Sequence, residues 1–384
     1  MFKNNITSFF LFILLILSSC NNALGSSAAL TDKRLSKEWQ SKKGDLLVIG
    51  QAMYDIIYKF EDKKQYKQYI KSIGIKEGSN NIVSGEIITK VMNDLTSARE
   101  QPGGSASNTA AGVASFGMQV VLKTILAEDK IGQSYLNGMD QYKVDLLVHK
   151  IYNEENNNSE AKSGIVIVIV SPEGERTMLV HPGISKHISE EFINKSPIDN
   201  YKIVLTEGYL WTDISGNNAL IRKFYQSARE KGSITAFTFG DYSIVNKYRR
   251  EWLELIKEID IVFSDEQQIY ALFETKNWED IVNILKNYNA IFVVTFGEEG
   301  AYIVHQDKVM YVPIYEVPVV DTTGAGDQFA AGFLYSYLQN QPLEVCGKVG
   351  AATAAVIIQQ IGGKPNIPFL QSLQTRFAEL KVTQ

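Results

Sequence analysis

The alternation of strand and helix patterns in its second half is the feature that most limits what this chain can fold into. Apolar runs predict strands at 203–206, 233–239 and 260–263, and apolar residues at helical spacing predict helices at 217–229, 248–256 and 266–273. Strands that alternate with helices form a parallel sheet with crossover helices on both faces. The sequence therefore predicts an α/β fold with three layers around a mostly parallel central sheet.

A smaller β element is predicted beside this sheet. Residues 165–170 and 176–180 alternate between apolar and polar side chains on either side of a Ser-Pro-Glu-Gly turn, so they predict a hairpin. The polar stretch 59–96, which three glycines interrupt, predicts short strands of a flap. Segments near 55–96 and 163–181 are therefore expected to form a small β lid.

The composition is that of an ordinary globular enzyme. With 384 residues, 45% hydrophobic content and 21% charged residues, the chain can bury a large core. A formal net charge of −5 without a long basic run excludes nucleic acid as a partner. Cys20 and Cys346 lie in very different surroundings, so no disulfide framework is expected, and Cys346 is predicted to be a core residue.

The first 25 residues have the pattern of a targeting segment. Lys3 precedes an apolar run that is too short to span a bilayer, and small residues follow. The sequence Leu-Ser-Ser-Cys ending at Cys20 resembles a lipobox, so a membrane is a partner only if Cys20 is lipidated. An upstream extension from a wrongly assigned start is the alternative. We expect residues 1–25 to be a signal-peptide-like or lipoprotein-like leader, 26–44 a linker, and 45–384 the folded domain.

The segment 321–337, DTTGAGDQFAAGFLYSY, has the pattern of an anion site at the start of a helix. Residues 317–320 predict a short buried strand before it, and apolar residues at helical spacing follow it. The turn 324–326 would then direct free N–H groups and the positive end of a helix dipole at one point, which favours an anion. Asp327 stands in the first helical turn, where the dipole favours an ionised carboxylate. A carboxylate beside an anion site indicates proton transfer.

A second glycine turn, Gly103-Gly104, opens a helix of small residues. The glycines allow a ligand to approach the backbone closely, and Ser105 and Asn108 can form hydrogen bonds with a hydroxyl-rich ligand. Ser105 can equally serve as a helix N-cap. Asp55 follows the first apolar strand, at the carboxyl end of the sheet, where ligands bind in open α/β folds. For Asp55 the alternative is a turn or capping carboxylate.

The motifs exclude several common kinds of active site. The chain has no GxxxxGK[ST] sequence, and the turn 324–326 lacks the third glycine of a dinucleotide fingerprint. The four scattered histidines form no metal-ligand pattern, and no serine or cysteine triad has local support. Phosphoryl transfer with a carboxylate base remains. A single general base contributes about 10²–10⁴ in rate, so positioning and a metal-bridged nucleotide must supply the rest.

Together, the two glycine segments resemble the paired signatures of the ribokinase-type (PfkB) family of sugar and nucleoside kinases, over about residues 45–370. The likeness is strongest to bacterial adenosine-kinase-type members, because four motifs occur in the same order, at 103–117, 175–178, 207–211 and 321–332. The resemblance implies a ribokinase-like α/β/α fold with a β lid. It also implies ATP-dependent phosphorylation of a nucleoside ribose hydroxyl, with adenosine to AMP as the first expectation.

The resemblance implies roles for individual residues. Asp327 would deprotonate the acceptor hydroxyl, and the amides of Gly324, Ala325 and Gly326 would form the anion hole. The implied substrate-binding residues are Gln51, Asp55, Gly103, Gly104, Ser105 and Asn108. The implied ATP-binding residues are Arg176, Asp265, Thr295, Gly297, Gly300, Thr323, Gly350 and Ala354. The implied cofactors are ATP and Mg²⁺, with K⁺ as a further candidate.

Two departures from the family pattern concern the substrate and the metal. Gln51 stands where the family has asparagine, and residues 265–268 stand where an N-x-x-E element organises magnesium, which leaves Glu266 and Gln268 as metal-site candidates. Two other functions stay open: a sugar kinase acting on ribose or fructose, and a non-catalytic nucleoside- or sugar-binding protein. Kinase chemistry predicts a cytoplasmic protein, whereas the leader predicts export or lipid anchoring.

Overall fold

A computed structural model describes residues 37–151, 162–211 and 216–383 of the chain. The predictions for the leader, for Cys20 and for most of the linker lie outside the described residues. Within these three ranges, no helix is both long enough and apolar enough to cross a membrane.

The described residues form strands and helices that alternate along most of the chain. The strands are β1 (Gly44–Ile49), β2 (Met53–Lys59), β3 (Asn80–Ile82), β4 (Arg99–Gly103), β5 (Val120–Ala127), β6 (Asp145–Ile151), β7 (Gly164–Val170), β8 (Arg176–His181), β9 (Tyr201–Glu207), β10 (Ile234–Thr238), β11 (Ile261–Asp265), β12 (Ile291–Thr295), β13 (Ala301–His305) and β14 (Lys308–Val312). The α-helices are α1 (Lys37–Ser41), α2 (Lys63–Ser72), α3 (Gly85–Asp94), α4 (Ser105–Ala114), α5 (Lys130–Met139), α6 (Glu190–Asn194), α7 (Asn217–Glu230), α8 (Tyr242–Leu255), α9 (Glu266–Phe273), α10 (Trp278–Leu285), α11 (Ala325–Leu338), α12 (Leu343–Ile357) and α13 (Phe369–Arg376).

Nine strands form the central sheet, in the order β14-β13-β12-β11-β10-β9-β1-β5-β6. All neighbours from β12 to β6 run parallel, and β13 and β14 add an antiparallel edge. Alternate residues of β1 face opposite sides: Leu46 and Val48 pack with α4 and α11, whereas Leu47 and Ile49 pack with α7 and α8. The predicted three-layer α/β/α architecture is confirmed.

Five strands form a separate lid sheet, in the order β3-β8-β7-β2-β4. Its β7 and β8 are the predicted hairpin, with Val170 opposite Arg176 at the turn. Strand β2 begins four residues after β1 ends, so the chain passes directly from the central sheet into the lid. The lid therefore lies over the carboxyl end of β1.

The prediction of short strands for the stretch 59–96 is wrong in most of its length. This stretch forms the helices α2 and α3 and only the three-residue strand β3. Tyr66 and Ile70 lie four residues apart on one face of α2 and are buried, and Asp62 caps the helix by accepting a hydrogen bond from the Gln65 amide. Gly74 and Gly78 lie between these helices, and Gly85 is the first residue of α3, so none of the three lies within a strand.

The strand predicted at 317–320 is absent. Val319 and Val320 are 62% and 59% exposed, and the chain leaves the sheet at the end of β14. The amides of Val320 and Asp321 instead donate to the carbonyl oxygen of Ile358, at the end of α12. An end of a helix, rather than a strand, therefore holds the segment that leads into α11.

The folded domain begins earlier than the predicted boundary at residue 45. Helix α1 lies within the predicted linker, and its Trp39 is only 3% exposed. The Lys42 ammonium, also buried, donates to the carbonyl oxygen of Asp199 at 3.0 Å. The last residues of the predicted linker are therefore part of the core.

Candidate active site

The two glycine segments meet at the carboxylate of Asp327. Ser105 Oγ donates to Asp327 Oδ1 at 2.6 Å, and Asn108 Nδ2 donates to Asp327 Oδ2 at 2.8 Å. Both donors lie in the first two turns of α4, whereas Asp327 lies in the first turn of α11. The structure therefore brings the predicted base and two predicted substrate-binding residues into direct contact.

The turn before α11 presents unpaired amides to open space. Gly324 has φ +75°, and a side chain there would come within 2.6 Å of the Cα atom of Gly363. The amides of Gly326 and Asp327 find no hydrogen-bond acceptor among the described residues, and no atom approaches within 4 Å of the place where a Gly326 side chain would begin. Because these amides lie at the positive end of a helix, the turn can hold an anion.

Asp55 lies at the start of the predicted lid segment, on the lid strand that follows β1. It is on β2, opposite Gln101 of β4. A side chain at Gly103 would collide with the Asp55 carboxylate, so this glycine allows the carboxylate to lie against the turn that precedes α4. Burial raises the pKa of Asp55 to about 7, although the positive charge of Lys364 opposes the shift.

Gln51 connects the end of β1 to the end of β9. Its amide donates to Glu207 Oε1 at 2.6 Å, and its side-chain Nε2 donates to the carbonyl oxygen of Tyr209 at 2.8 Å. The other carboxylate oxygen of Glu207 accepts from the Ala106 amide at 2.8 Å, at the start of α4. Gly104, with φ +91°, packs against the Gln51 carbonyl. The residue predicted to touch substrate is thus also a structural link between three segments.

The pKa of Asp327 reflects opposing influences. Burial is the largest influence and raises the pKa of Asp327 overall, whereas the hydrogen bonds from Ser105 and Asn108 and the charge of Lys364 oppose this rise. The hydrogen bonds and the positive charge favour the ionised carboxylate, which is the form that accepts a proton.

Arg176 extends from the lid strand β8 to the anion-binding turn. Its guanidinium forms an ion pair with Asp321 and donates to Thr323 Oγ1, and it donates to Thr322 Oγ1 at 3.2 Å. Burial opposes ionisation of Asp321, but hydrogen bonds from Gly362 and Thr323 and the charge of Arg176 lower its pKa overall. The lid is thus fastened to the turn through a residue predicted to bind phosphate.

The remaining nucleotide-binding candidates lie at the end of β12, in the turn after it and on α12. Thr295 ends β12, and Gly297 and Gly300 adopt φ values of +58° and +92° in the turn that follows. Ala354, on α12, is half-buried. Gly350 is buried against Phe329 of α11, where a side chain would come within 2.8 Å of the Phe329 carbonyl oxygen. This position indicates that Gly350 allows α11 and α12 to pack closely, rather than that it contacts nucleotide.

A comparison with known families identifies this arrangement. Residues 67–370 match the pfkB family of carbohydrate kinases. The chain belongs to the pfkB family. A pfkB kinase is a phosphotransferase that acts on a sugar or nucleoside hydroxyl, and the resemblance seen in the sequence is confirmed.

Solved structures and curated relatives agree with this assignment. The chain is similar to the adenosine kinase from Sinorhizobium meliloti, with a TM-score of 0.78 and 31% identity, covering 87% of this chain and 99% of that one. It is equally similar to a probable sugar kinase from Rhizobium etli, with a TM-score of 0.78 and 31% identity over 88% and 99% of the two chains. A nucleoside kinase from Methanocaldococcus jannaschii is 26% identical over 75% of this chain and 89% of its own length.

Membership in the pfkB family implies ATP as donor and, typically, Mg²⁺. The described residues contain no group of three His, Cys, Asp or Glu side chains that could hold a metal ion. Mg²⁺ is commonly held by one or two carboxylates together with substrate phosphates, and the exposed carboxylate of Glu266 fits that arrangement. When bound, the metal would neutralise charge on the phosphates.

Gln268 has a different role from the metal ligand that was predicted. Its Oε1 accepts from the Asp265 amide, and its Nε2 donates to Asp265 Oδ2 and to the Gly240 carbonyl oxygen. Asp265 in turn accepts from the Gln268 amide at 2.8 Å. The pair forms a capping box at the start of α9, a role that asparagine and glutamate at these two positions would also fill.

The sequence assigned no role to two further residues of this pfkB site: Lys364, and Glu207, which lies within the motif 207–211. Glu207 is 1% exposed and joins the end of β1 to the start of α4. Lys364 is 5% exposed and contacts the turn before α4. The glycine pair directly before Lys364 was an available signal, because paired glycines mark a close approach of backbone to other groups.

Proposed function

We propose that this pfkB kinase transfers the γ-phosphate of ATP to a ribose hydroxyl of a nucleoside, with adenosine to AMP as the reaction. The observation that carries the proposal is the position of Asp327, between free helix-terminal amides and the hydrogen-bonding residues of α4. Similarity to the Sinorhizobium meliloti adenosine kinase supports the choice of acceptor. ATP, Mg²⁺ and a monovalent cation such as K⁺ are part of the proposal.

Asp327 acts as the general base in this mechanism. Its carboxylate accepts the proton of the attacking hydroxyl, a role that contributes about 10²–10⁴ in rate. Ser105 and Asn108 hold the carboxylate in place through their hydrogen bonds. Because a base must be ionised to act, turnover is expected to fall as the pH drops through the pKa of Asp327.

The turn before α11 stabilises the phosphate during transfer. We assign the anion hole to the amides of Gly324, Ala325 and Gly326, because preorganised N–H donors of this kind contribute most where charge develops. The Ala325 amide donates to the Thr322 carbonyl oxygen at 3.2 Å, so it would have to leave this carbonyl to bind phosphate. Arg176, held beside this turn by Asp321, is placed to exchange its carboxylate partner for phosphate oxygens. The lid then excludes water from the transfer.

The acceptor lies on the α4 side of Asp327. We assign Asp55, Asn108 and the backbone of Gly103 and Gly104 to the sugar hydroxyls, with Gln51 beside them. The Asp55 carboxylate and the Asn108 amide supply both an acceptor and a donor, which suits vicinal hydroxyls. These residues bind a ribose whether or not a base is attached, so they do not by themselves select a nucleoside.

A sugar kinase on the same fold is the second candidate. The similarity to the probable sugar kinase from Rhizobium etli equals that to the adenosine kinase. A non-catalytic binding protein is the third, motivated by the altered residues 265–268 and the leader.

Release of ADP by the purified chain, with adenosine, inosine, guanosine, ribose and fructose as acceptors, separates these candidates. We expect turnover with adenosine and a higher rate in potassium than in tetramethylammonium salts. Turnover on free sugars alone would replace the nucleoside assignment with a sugar kinase. Calorimetric binding of a nucleoside without any ADP release would favour the binding protein.

Asp327→Asn tests the base directly. The amide keeps the shape of the side chain but cannot accept the proton, so we expect kcat to fall at least about a hundredfold while the circular dichroism spectrum stays unchanged. Turnover close to that of the wild type would contradict the assignment of Asp327 as base.

A further inference from the structure

Lys364 places a buried ammonium group behind the catalytic carboxylate. Its Nζ donates to Asn108 Oδ1 at 2.8 Å, to the Pro102 carbonyl oxygen at 2.8 Å and to the Gly103 carbonyl oxygen at 3.4 Å. An ammonium group has three N–H donors, and all three have acceptors here. Lys364 therefore joins the loop after α12 to the end of lid strand β4 and to helix α4.

We propose that Lys364 is a positioning residue for phosphoryl transfer, because it fixes the Asn108 amide so that this amide donates to Asp327 and because its charge keeps Asp327 ionised. The inference rests on the proposed role of Asp327 as the base. Lys364 itself does not touch the reacting atoms.

The Asn108 amide lies between a group that accepts hydrogen bonds and a group that donates them. The carboxylate of Asp327 only accepts hydrogen bonds when ionised, and the ammonium of Lys364 only donates them. Asn108 lies between the two, with Nδ2 toward Asp327 and Oδ1 toward Lys364. A flipped amide would place oxygen against carboxylate and N–H₂ against ammonium, so Lys364 leaves a single favourable orientation.

Lys364 also supplies a positive charge beside the buried carboxylates. The charge of Asp327 acts on Asp55 of β2, on Glu207 and Tyr209 at the end of β9, and on Lys364, and the charge of Lys364 in turn acts on Asp327. Of these groups only Lys364 is cationic. Burial lowers the pKa of Lys364 to about 8, while the charges of Asp55 and Asp327 oppose that change. The ammonium thus offsets the repulsion among carboxylates that share a buried site.

Replacement of Lys364 tests the proposal through the pH profile of the intact enzyme. Lys364→Met removes the charge and the donors at similar length. We expect kcat to fall about 10–100-fold and the acid limb of the kcat profile to move upward by about one pH unit, while the KM for ATP stays within about twofold. Lys364→Arg, which restores charge and donors, should return the acid limb toward its wild-type position.

Lys123 provides a matched control. It is also 5% exposed, and burial lowers the pKa of its ammonium to about 8, but its Nζ donates to the Phe192 carbonyl oxygen, away from Asp327. Lys123→Met should lower the melting temperature and leave the acid limb in place. Loss of the Lys364 charge would raise the pKa of Asp55 as well as that of Asp327. The pH profile of Lys364→Met is therefore also measured in an Asp55→Asn background, where the acid limb should still move upward.

The outcomes separate this inference from the proposed function. If Asp327→Asn keeps its turnover, the base assignment fails and the proposal for Lys364 fails with it. If Asp327→Asn is inactive but Lys364→Met keeps both the wild-type kcat and the wild-type acid limb, only the role of Lys364 is overturned. Should Lys364→Met not fold, Lys364→Gln replaces it, and an unshifted acid limb there overturns the proposal in the same way.

Discussion

Glu207 shows how a single buried carboxylate organises the site. Its two oxygens accept from the amides of Gln51 and Ala106, which belong to segments far apart in sequence. Burial raises the pKa of Glu207 to about 7, even though both backbone hydrogen bonds favour the ionised form. The residue therefore binds a proton more tightly in the folded chain than in the unfolded chain.

This difference predicts a pH-dependent stability. Between the unfolded pKa of 4.5 and the folded pKa of about 7, the folded chain holds more protons at Glu207, so its contribution to the free energy of unfolding decreases as the pH rises. The full decrease is roughly 3 kcal/mol and is reached above pH 7. Glutamine does not titrate, so Glu207→Gln lacks this contribution. The free energy of unfolding, measured with urea, should therefore decrease less between pH 5 and pH 8 in this variant than in the wild type, by about the amount given above. Equal differences in the two proteins would show that Glu207 does not titrate in this range.

The sequence allowed a site residue to be predicted when that residue lies in a recognisable local sequence pattern. Asp327, Ser105 and Asn108 lie in glycine-rich helix starts, whose backbone geometry is encoded within a few residues. The sequence assigned no role to Glu207 or Lys364. A glutamate at the end of a strand and a lysine after two glycines are usually solvated, and only the packing of distant segments buries these two.

At the level of elements, Arg176 connects the lid to the turn before α11. The strand β8 carries this side chain to Asp321, Thr322 and Thr323, all in the turn before α11. A second lid contact joins Asn80 of β3 to Asp241 before α8, with 3.1 Å between Nδ2 and Oδ2. The lid thus contacts both the turn before α11 and the segment before α8. Of these two contacts, only the one made by Arg176 brings a positive charge to the anion-binding turn.

Arg176→Ala should therefore weaken the use of ATP. Charge-assisted hydrogen bonds contribute about 1.5–3 kcal/mol, so we expect kcat/KM for ATP to fall about 10–100-fold with a smaller change in KM for the acceptor. Arg176→Lys, which keeps the charge but not the planar fork, should recover only part of the loss.

Lys63→Ala is the control for this lid variant. Lys63 pairs with Glu173 on the outer side of the same lid, at 2.8 Å, but both side chains are more than half exposed. Solvent screens such a pair, so the kinetics should not change. Equal kinetic effects of the two substitutions would indicate that Arg176 acts only through lid stability.

The elements that sequence predicted correctly are those whose patterns are decided locally. Strands β9 and β10 and the small-residue helix α4 follow apolar or small-residue runs. The lid helices were missed because glycines and charged residues obscured their helical spacing, although Tyr66 and Ile70 are buried at that spacing. The run 317–320 is apolar enough for a strand. It follows the edge strand β14 in the chain and belongs to neither sheet.

For the whole molecule, the position of Trp39 sets where the folded domain starts. Trp39 belongs to the same hydrophobic cluster as Leu46 and Val48 of β1, and the Lys202 ammonium lies 5.3 Å from the centre of its ring. Helix α1 is therefore part of the folded domain rather than of the predicted linker. Composition could not reveal it, because one tryptophan among polar residues does not produce a periodic pattern.

Trp39→Ala in the full chain should lower the free energy of unfolding by about 3–5 kcal/mol, the range for removal of a buried tryptophan. Trp39→Phe keeps most of the apolar contact and should cost clearly less. Urea denaturation of both variants provides the comparison. If the alanine variant were as stable as the wild type, the domain would begin after Trp39, as the composition suggested.

The long separation between contacting residues also affects how the enzyme is made. The Ser105–Asp327 and Asn108–Lys364 contacts join positions 222 and 256 residues apart. Chains are synthesised from the N-terminus at about 5–20 residues per second, so the acceptor half of the site leaves the ribosome well before its catalytic half. The contact between Asn108 and Lys364 can form only after Lys364 has emerged from the ribosome. We therefore expect the contacts around Asp327 to be completed only when nearly the whole chain has been synthesised.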